Sequence, residues 1–460
     1  MQLPEAFLES LNGIKGFNKE AFEKVHASGE QITSIRINPF KFSESPKSLP
    51  IYREGLGEVV PWTEQGYYLK ERPSFTFDPL FHAGCYYVQE ASSMFLEQAL
   101  KQTVDLTKPL KILDLCAAPG GKSTHIQSLI SKESLLVSNE VIRSRVNILK
   151  DNIIKWGCEN VVVTNNDPKD FARLENYFDV IVVDAPCSGS GLFRRDADAI
   201  NEWSENNVQL CSQRQQRILA HVWPALKKNG VLIYATCSYS KEEDEDILNW
   251  LTENFPTLPA GRQVAICPLT IDEDWGIIES DGGCRFWPDK VNGEGLFMAC
   301  FQKKEGEMDS SYRIKTGLDV VNKKETEIIE KWIKKEDRSF IKHVNTVYAW
   351  PEHYESDFGF LLEKLRVIYS GTLIGELVRD KLVPDHALAM SNLTADSINK
   401  AELDYQQSIQ YLQRKELKAS IKEKGWQLIT YEGHSLGWIN ALPNRINNYY
   451  PKELRILKDI

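Results

Sequence analysis

Short apolar runs alternate with longer segments of helical spacing between residue 111 and about residue 255. The runs are KILDL, LLVSNE, VVVTNND, FDVIVVDAP and GVLIYATCS. Two of them, FDVIVVD and GVLIYAT, are continuously apolar, as expected for central strands that are covered on both faces. Strands that alternate with helices of this length predict a parallel, doubly wound α/β sheet.

The flanking regions break this alternation and predict further domains. Residues 1–80 mix helical segments with short extended ones, which is typical of a small α+β unit. The pair RFWPD (285–289) and GLFMACFQ (295–302) predicts a hairpin that closes the central domain, because Gly293 and Gly295 stand where its two halves meet. We expect an N-terminal unit at 1–80, a central domain at 81–303, a polar linker at 304–326, and a C-terminal region at 327–460 with a compact α+β part from about 365.

The formal net charge of −10 at pH 7 argues against a general affinity for nucleic acid. A nucleic-acid partner would therefore need a local basic surface. Residues 411–460 are net basic, which is consistent with an RNA-binding module, although such a run is commonly a solvated face. Against five acidic residues, the basic ones there are Arg414, Lys415, Lys418, Lys422, Lys424, Arg445, Lys452, Arg455 and Lys458.

Nine cysteines are scattered through the 460 residues without a C-x-x-C or an H-x-x-x-H motif. An odd number at such spacings is not the pattern of a disulfide framework, and a structural zinc site needs closer ligands. No apolar run approaches the length of a membrane span, and the N-terminal sequence lacks the pattern of a signal peptide. We therefore expect a cytoplasmic protein with reduced thiols, no bound metal and no membrane contact.

Residues 111–122, KILDLCAAPGGK, have the pattern of a strand, a loop of small residues and the start of a helix. Small residues allow the backbone to approach a ligand closely, and a helix N-terminus offers unpaired N–H groups. A P-loop is disfavoured because Cys116 stands where that motif needs glycine, and G-x-G-x-x-G is absent. Glu140, about 20 residues past the glycines, suits a ribose diol, so S-adenosylmethionine fits the unit best.

Reactive groups stand where the predicted strands end, and ligands of an open parallel sheet gather at that edge. The groups are Asp114, Glu140, Asp167, the DAPCSG turn and the TCS turn. Asp167 before Pro168 is equally a standard helix N-cap, and Glu140 has the alternative of a solvated loop acid. Lys122 lies in the first turn of a helix, where the dipole disfavours a cation; it is a functional candidate, with a solvent-facing side chain as the alternative.

Cys187 in DAPCSG and Cys237 in TCS stand at the ends of neighbouring strands. A single cysteine is usually buried and inert, but two beside a cofactor loop favour chemistry. Carbon 5 of a pyrimidine is a poor nucleophile, and a thiolate that adds to carbon 6 makes carbon 5 electron-rich enough to accept a methyl group from a sulfonium donor. The sequence Ser240–Glu243 predicts a capping box, whose helix N-terminus would favour the Cys237 thiolate. Asp184 could hydrogen-bond ring nitrogen 3 of the base.

Together these motifs resemble the Nop/Sun-type RNA cytosine-5 methyltransferases. The resemblance covers about residues 30–303 and rests on DLCAAPGGK, Glu140, Asp167, DAPCSGSG and TCS, with RINP, YVQEASS and RFWP…GEGLFMA beside them. The stretch SGLFRRDADAINEWS and the tail are most similar to a bacterial branch that acts on ribosomal RNA. This resemblance implies a Rossmann-like methyltransferase sheet, an RNA-binding N-terminal unit, and a PUA-like RNA-binding domain at about 365–460.

The resemblance also implies roles for single residues. Cys237 would be the nucleophile, Cys187 would help to release the methylated product, and Asp184 and Lys122 would complete the catalytic group. The expected cofactor residues are Cys116, Ala117, Ala118, Pro119, Gly120, Gly121, Lys122, Glu140, Asp167 and Asp184. Many family members have proline where Ala197 stands, and some have histidine where Asp289 stands, so RNA contacts could differ at these positions.

Enzymes that act on RNA bases usually splay the target base out of a strand and stack it on side chains. The candidates for this task are Phe193, Arg194, Arg195, Phe286 and Trp287, although each alone is more commonly packing or solvated surface.

We therefore expect a monomeric, S-adenosylmethionine-dependent enzyme that makes 5-methylcytosine in 16S ribosomal RNA. Transfer RNA or DNA as the substrate remains an alternative; DNA cytosine methylases take their nucleophile from the Pro-Cys turn, here Cys187. A non-catalytic RNA-binding factor for ribosome assembly is the alternative from another class. Intact Asp184, Cys187 and Cys237 speak against that last interpretation.

Overall fold

The computed structural model describes residues 3–42, 56–254, 264–305, 319–334, 336–417 and 423–459. Most of the predicted linker lies outside these ranges, as do Lys418 and Lys422 of the basic tail and the side chain of Ala197. None of the helices in the described ranges is long and apolar enough to cross a membrane.

The helices are α1 Glu5–Ser10, α2 Lys19–Ser28, α3 Pro79–His82, α4 Leu96–Thr103, α5 Gly121–Leu129, α6 Arg143–Trp156, α7 Ala197–Glu202, α8 Glu205–Val222, α9 Glu245–Asn254, α10 Lys323–Ile329, α11 Glu355–Lys364, α12 His386–Met390 and α13 Tyr405–Leu412. The strands of the first half are β1 Ser34–Ile37, β2 Leu56–Val59, β3 Gly66–Leu69, β4 Tyr86–Val88, β5 Lys111–Asp114, β6 Leu135–Asn139, β7 Val161–Thr164, β8 Phe178–Asp184 and β9 Leu226–Thr236. Those of the second half are β10 Val264–Ile266, β11 Ile278–Ser280, β12 Gly283–Phe286, β13 Leu296–Lys303, β14 Arg338–His343, β15 Thr346–Pro351, β16 Val367–Ser370, β17 Thr372–Val378, β18 Lys381–Pro384, β19 Lys400–Glu402, β20 Gly425–Tyr431, β21 His434–Leu442 and β22 Arg445–Asn448.

The central sheet confirms the predicted doubly wound α/β fold. Its strand order is β11-β12-β13-β9-β8-β5-β6-β7-β16, with β10 paired to β13. The five strands from β9 to β7 run parallel, and helices connect them. The predicted closing hairpin is formed by β12 and β13, which pair antiparallel, and β13 continues the sheet beside β9. The chain passes from β5 outward to β6 and β7 and then returns to the other side of β5 with β8. A ligand site is expected at this switch point between β5 and β8.

The strands of this sheet are apolar throughout because both of their faces are covered. Along β8, Val180 and Val182 belong to the core on one face, whereas Ile181 and Val183 belong to the core on the other. Successive side chains of a strand point to opposite faces, so a strand buried on both sides carries no polar alternation. This explains why the central strands are readable from the sequence alone.

The N-terminal unit and the C-terminal region are joined to the central domain by shared structure. The N-terminal sheet has the order β2-β3-β1-β4, and its last strand lies beyond the expected domain boundary at residue 80. In the C-terminal region, β14-β15-β17-β18 form one sheet and β19-β20-β21-β22 form another. Strand β16 belongs to neither of these sheets. It pairs antiparallel with β7, so the C-terminal region supplies the last strand of the central sheet.

Candidate active site

The two cysteines singled out in the sequence lie side by side. Strands β8 and β9 are parallel neighbours with Asp184 opposite Ala235, so the turns that follow them meet at one edge of the sheet. Cys187 and Cys237 stand in these turns, and their Sγ atoms are 3.1 Å apart. Both side chains are only partly buried. Their sulfurs can therefore act on one small substrate group.

The predicted capping box after Cys237 is wrong. The turn at Lys241–Glu243 is a short 3-10 helix, and the Ser240 side chain does not cap it. The carboxylate of Glu243 turns instead to the cysteine turns, where it accepts hydrogen bonds from the hydroxyls of Ser188 at 2.5 Å and Ser238 at 2.7 Å. The serine that Glu243 binds is therefore not Ser240, as the capping-box pattern predicts, but the serine that follows each cysteine.

Lys122 and Asp184 form an ion pair beside the cysteines. Lys122 lies in the first turn of α5, and its Nζ is 2.7 Å from Oδ2 of Asp184. The Lys122 side chain is 9% exposed, so it does not point into solvent, whereas Asp184 is 37% exposed. The carboxylate offsets the cost of placing a cation at a helix N-terminus, which answers the question that the position of Lys122 raised.

Asp114 ends β5 beneath this pair and is fully buried. One of its carboxylate oxygens accepts a hydrogen bond from the Ser123 hydroxyl at 2.6 Å, and the other has no partner among the described residues. Burial, together with the nearby Asp184 carboxylate, raises the pKa of Asp114 to about 7, and the hydrogen bond from Ser123 opposes this shift. A buried, unpaired acceptor at the end of a strand is suited to a ligand that brings a hydrogen-bond donor.

The loop of small residues is held by backbone contacts on both sides. The Ala117 N–H donates to the Asn139 carbonyl at 2.8 Å, and the Ala118 carbonyl accepts from Arg145 Nη2 at 2.7 Å. Gly120 has a φ of +115°, and a Cβ there would come within 3.3 Å of Leu149. Glycine is required at this position because an L side chain rarely adopts that conformation. The loop is thereby pressed against α6.

Sequence reasoning missed a clamp that the N-terminal unit places on α5. Arg36 of the RINP motif is fully buried, and its Nη2 donates to the Thr124 hydroxyl at 2.7 Å and to the Gly121 carbonyl at 3.2 Å. Its Nε donates to the side chain of Gln89 at 2.9 Å. The motif had been noticed only as part of a resemblance. An arginine in an otherwise apolar strand is the signal that could have identified this contact.

The other two acids assigned to the cofactor, Glu140 and Asp167, lie in different surroundings. Glu140 is 3% exposed, so the alternative of a solvated loop acid is wrong; its Oε1 accepts from the Ile142 N–H at 2.8 Å. Asp167 is exposed and caps the 3-10 helix Pro168–Arg173 by accepting from the Lys169 N–H at 3.1 Å. The interpretation of Asp167 as an N-cap is confirmed, and its side chain remains accessible to solvent.

Two exposed apolar residues follow Glu140 directly and were not noticed in the sequence. Val141 is 50% exposed and Ile142 is 47% exposed, although both stand at the end of a central strand. Exposed branched side chains beside a buried acid form a surface that suits a flat aromatic ring next to a diol. The cradle made by the small-residue loop, the orphaned oxygen of Asp114 and this apolar edge therefore fits S-adenosylmethionine.

Most of the residues considered for stacking a target base belong to the core instead. Phe193 and Trp287 are completely buried, and Phe286 is 1% exposed. Trp287 stacks on Tyr239 with an interplanar angle of 3°, and Phe193 packs edge-on against Phe7. Aromatic residues near an active site are as useful for packing as for stacking on a base, and the sequence does not distinguish the two.

The two arginines of the same stretch differ from each other. Arg194 is buried and donates to the carbonyls of Gly293 and Glu30 at 3.2 and 2.8 Å, so it is a structural residue. Arg195 is exposed and lies 3.5 Å from the Glu294 carboxylate, so it is the one stacking candidate of the five that is not buried.

Comparison with known proteins gives a consistent result for the whole chain. The model of 16S rRNA methyltransferase RsmB/F matches residues 101–302, and that of the N-terminal domain of 16S rRNA methyltransferase RsmF matches residues 3–91. Models of the RsmF rRNA methyltransferase first C-terminal domain and of the methyltransferase RsmF PUA domain match residues 324–391 and 398–456.

Individual relatives cover nearly the full chain. Ribosomal RNA small subunit methyltransferase F of Aliivibrio fischeri (strain MJ11) is 30% identical over 98% of this chain and 97% of its own length. The protein of the same name from Psychromonas ingrahamii is 29% identical over the same shares. Among solved structures, a methyltransferase homolog protein from Pyrococcus horikoshii is similar with a TM-score of 0.52 and 25% identity, over 65% of this chain and 100% of its own. NSun6 from the same organism with SFG has the same fold, with a TM-score of 0.54 and 19% identity over 66% of this chain and 99% of its own.

Proposed function

The chain belongs to the RsmF family of 16S ribosomal RNA methyltransferases, and from this premise we propose that it methylates carbon 5 of a cytosine in 16S ribosomal RNA through a covalent bond to Cys237. It is an RNA methyltransferase that uses S-adenosylmethionine. The choice of atom and the covalent route are the new parts of the proposal. They rest on the two neighbouring sulfurs, which a methyl transfer to an exocyclic amine or a ribose hydroxyl would not need.

S-adenosylmethionine, when bound, supplies a methyl group that is electrophilic because it is attached to a sulfonium. The small-residue loop at 116–122, Glu140, Asp167 and Asp184 would hold it. Glu140 fits the ribose hydroxyls because it is a buried acceptor about 20 residues past the glycines. The unpaired oxygen of Asp114 would accept a further donor of the ligand.

Cys237 acts as the nucleophile in this proposal. Its thiolate forms a bond to carbon 6 of the cytosine, and the electron pair of the carbon 5–carbon 6 double bond moves to carbon 5, which can then take a methyl group. Removal of the hydrogen of carbon 5 as a proton and cleavage of the sulfur–carbon bond restore the double bond and the Cys237 thiolate. Carbon 5 thus exchanges a proton for a methyl group without a change in the oxidation state of the enzyme.

Cys187 keeps its proton beside that nucleophile. The hydrogen bond with Cys237 raises the pKa of the Cys187 thiol well above its usual value, and burial raises it further. A thiol that stays protonated can donate a hydrogen bond to the neighbouring sulfur at 3.1 Å and stabilise it as a leaving group. This supports the role of Cys187 in release.

Lys122 and Asp184 complete the group. Asp184 would act as the acid that delivers a proton to ring nitrogen 3 of the cytosine, which is an acceptor, and this proton offsets the negative charge that develops when carbon 6 is attacked. Lys122 holds that carboxylate at 2.7 Å and contributes a positive charge to the same place. Both are therefore proposed as catalytic residues, with Asp184 shared between the base and the cofactor.

Separate replacement of the two cysteines tests this function. With S-adenosylmethionine and 16S ribosomal RNA, Cys237→Ala should abolish the formation of 5-methylcytosine, measured by mass spectrometry of the digested nucleosides. Cys187→Ala should retain a covalent enzyme–RNA complex that is visible as a shifted band on a denaturing gel. Cys267→Ala, which removes a half-buried thiol elsewhere, should behave like the unchanged protein. Full activity of Cys237→Ala, or a methyl group on another atom, would refute the proposal.

A further inference from the structure

A buried carboxylate lies directly behind the two sulfurs. Glu243 is fully buried and follows the TCS turn in the 3-10 helix Lys241–Glu243. Its own position is fixed, because its backbone carbonyl accepts a hydrogen bond from the Tyr234 hydroxyl at 2.6 Å. Tyr234 belongs to β9, so the carboxylate is anchored to the central sheet rather than to a surface loop.

The carboxylate binds the residue that comes immediately after each cysteine. Oε2 accepts from the Ser188 hydroxyl at 2.5 Å and from the Ser238 hydroxyl at 2.7 Å. Oε1 accepts from the Ser188 N–H at 2.8 Å. A single side chain therefore holds both cysteine turns, although these are separated by some fifty residues of chain.

Gln215 of α8 completes the arrangement from the other side. Its Nε2 donates to Glu243 Oε1 at 3.0 Å and to the carbonyl of Pro186, the residue before Cys187, at 3.1 Å. The Cys187 turn is thus fixed on both sides of the sulfur. All four donors point at an acceptor-only group, which is the arrangement that a buried carboxylate needs to be stable.

We propose that Glu243 is a positioning residue that sets the distance between the Cys187 and Cys237 sulfurs by holding the serine that follows each of them. Other contacts join the same loops, such as that from the Gly191 N–H to the Cys237 carbonyl at 2.8 Å and that between the Ser188 and Ser238 hydroxyls at 3.4 Å. The shortest hydrogen bond of each of these serines, however, goes to Glu243. The catalytic consequence rests on the proposed function, whereas the spacing of the thiols does not.

The spacing can be measured without any methyl transfer. Phenylarsine oxide condenses with two neighbouring thiols, forms two arsenic–sulfur bonds, and releases its oxygen with the two thiol hydrogens as water. The full-length protein should bind one equivalent, seen by intact mass spectrometry, and Cys187→Ser should lose this binding. Glu243→Ala should need an at least tenfold higher reagent concentration for half-saturation, because its turns are no longer tied together.

Glu243→Gln is the conservative variant. Its amide oxygen can accept from Ser188 N–H and Gln215, and its amide nitrogen can donate to the two hydroxyls, which rotate to accept. The hydrogen bonds to both cysteine turns are then kept, but the negative charge of the carboxylate is lost. Glu242→Ala is the matched control, since Glu242 precedes Glu243 in the same turn and its carboxylate makes no hydrogen bond within the described part of the chain.

In methylation assays, Glu243→Ala should lower kcat by about 100-fold, because a displacement of a reacting group by about 1 Å costs that much. The KM for RNA and the calorimetric Kd for S-adenosylmethionine should stay within about twofold, since substrate binding is not what changes. Glu243→Gln should recover most of kcat and the arsenical binding. A purely structural role would instead weaken cofactor binding and lower the melting temperature in parallel with kcat.

Arsenical binding by Glu243→Ala that equals that of the unchanged protein would overturn the inference, as would an unchanged protein that binds no arsenical. Should Glu243→Ala fail to fold, Ser238→Ala carries the test, because it removes one of the hydrogen bonds to Glu243 and should show a smaller shift in the same direction. A methyl group found on an atom other than carbon 5 would refute the proposed function while leaving the arsenical result intact.

Discussion

At the scale of single residues, the methyltransferase domain concentrates buried charge shortly after Cys237. The three acids from Glu243 to Glu245 are all buried, and Arg285 neutralises two of them. Its guanidinium lies 2.5 Å from Glu245 and 3.0 Å from Asp244, and it also donates to the Tyr239 carbonyl at 3.1 Å. Arg285 is therefore the counter-charge of Asp244 and Glu245, whereas Glu243 is held by hydrogen bonds.

Arg285→Ala should lower the free energy of unfolding by about 3–5 kcal/mol, because it leaves two buried carboxylates without their counter-charge. Urea denaturation followed by circular dichroism would measure the change. Lys324→Ala breaks an ion pair with Asp380 of similar length, 2.8 Å, but both partners are largely exposed, so its cost should stay below about 1 kcal/mol. Equal effects of the two substitutions would contradict the assignment of Arg285.

The small-residue loop at 116–122 offers a second prediction at this scale. Gly120→Ala forces an L side chain into a φ of +115° and towards Leu149, so the loop must shift. We expect a loss of stability of about 1–3 kcal/mol and an at least tenfold weaker binding of S-adenosylmethionine by calorimetry. Gly433→Ala is the control, because Gly433 also has a positive φ, of +77°, but has open space around it. Its cofactor affinity should be unchanged.

At the scale of elements, the sequence predicted those strands and turns whose surroundings permit only one pattern of residues. The parallel strands of the central domain were predictable because strands buried on both faces are continuous apolar runs. The turn at Asp167 was predictable because Asp-Pro has a local meaning. Strand β16 was not, because it is a short edge strand whose partner, β7, lies some two hundred residues earlier. The target of Glu243 was missed for the same reason, since local spacing suggested Ser240.

Helix α2 carries a testable dependence on pH. His26 is 3% exposed, and its ring packs on Phe22 at 4.1 Å between centroids. Burial lowers the pKa of His26 from 6.5 to about 4; the hydrogen bond to the Phe22 carbonyl and Asp289 oppose this shift, and Arg194 adds to it. Below pH 6.5 the unfolded chain thus binds a proton that the folded chain refuses. The contribution of neutral His26 to the free energy of unfolding is therefore present above pH 6.5 and is lost as the pH falls towards 4.

His26→Gln removes this proton-linked loss. Between pH 6.5 and 4 the stability of the variant relative to the unchanged protein should rise by about 2–3 kcal/mol, because each unit of pH is worth up to about 1.4 kcal/mol for one proton. Urea titrations at several pH values would measure it. Lys24→Gln, an exposed change in the same helix, should show no such trend. A relative stability that does not depend on pH would exclude His26 as the group responsible.

At the scale of the whole molecule, the N-terminal unit packs against the C-terminal domain. Residues of β1 and β4 in the N-terminal unit share one hydrophobic core with α13, β20 and β21 of the C-terminal PUA domain. The first C-terminal domain shares a core with the central sheet through Trp350 and α11. The family and the PUA domain were recognisable from motifs, whereas these contacts between distant segments have no local signal in the sequence. The N-terminal unit and the PUA domain are therefore held in a fixed relation to the candidate active site.

This arrangement predicts that the central domain and the first C-terminal domain unfold together. Asp357 of α11 accepts from the Tyr177 hydroxyl at 2.6 Å and lies 2.6 Å from Lys111 Nζ, and both partners belong to the central domain. Arg338 reinforces the interface with two hydrogen bonds to Glu159, at 2.9 and 3.0 Å. The unchanged protein should therefore show one calorimetric transition for the two domains.

Asp357→Ala leaves Lys111 and the Tyr177 hydroxyl without this carboxylate at a largely buried interface, which should cost about 2–4 kcal/mol of coupling between the domains. Differential scanning calorimetry should then resolve a C-terminal transition below the central one. Ser356→Ala changes the exposed neighbour in the same helix and should leave a single transition at the original temperature. Suppose instead that Asp357→Ala leaves a single transition and lowers its temperature no further than Ser356→Ala does. The two domains would then be joined by β16 and the apolar core, without a contribution from the Asp357 carboxylate.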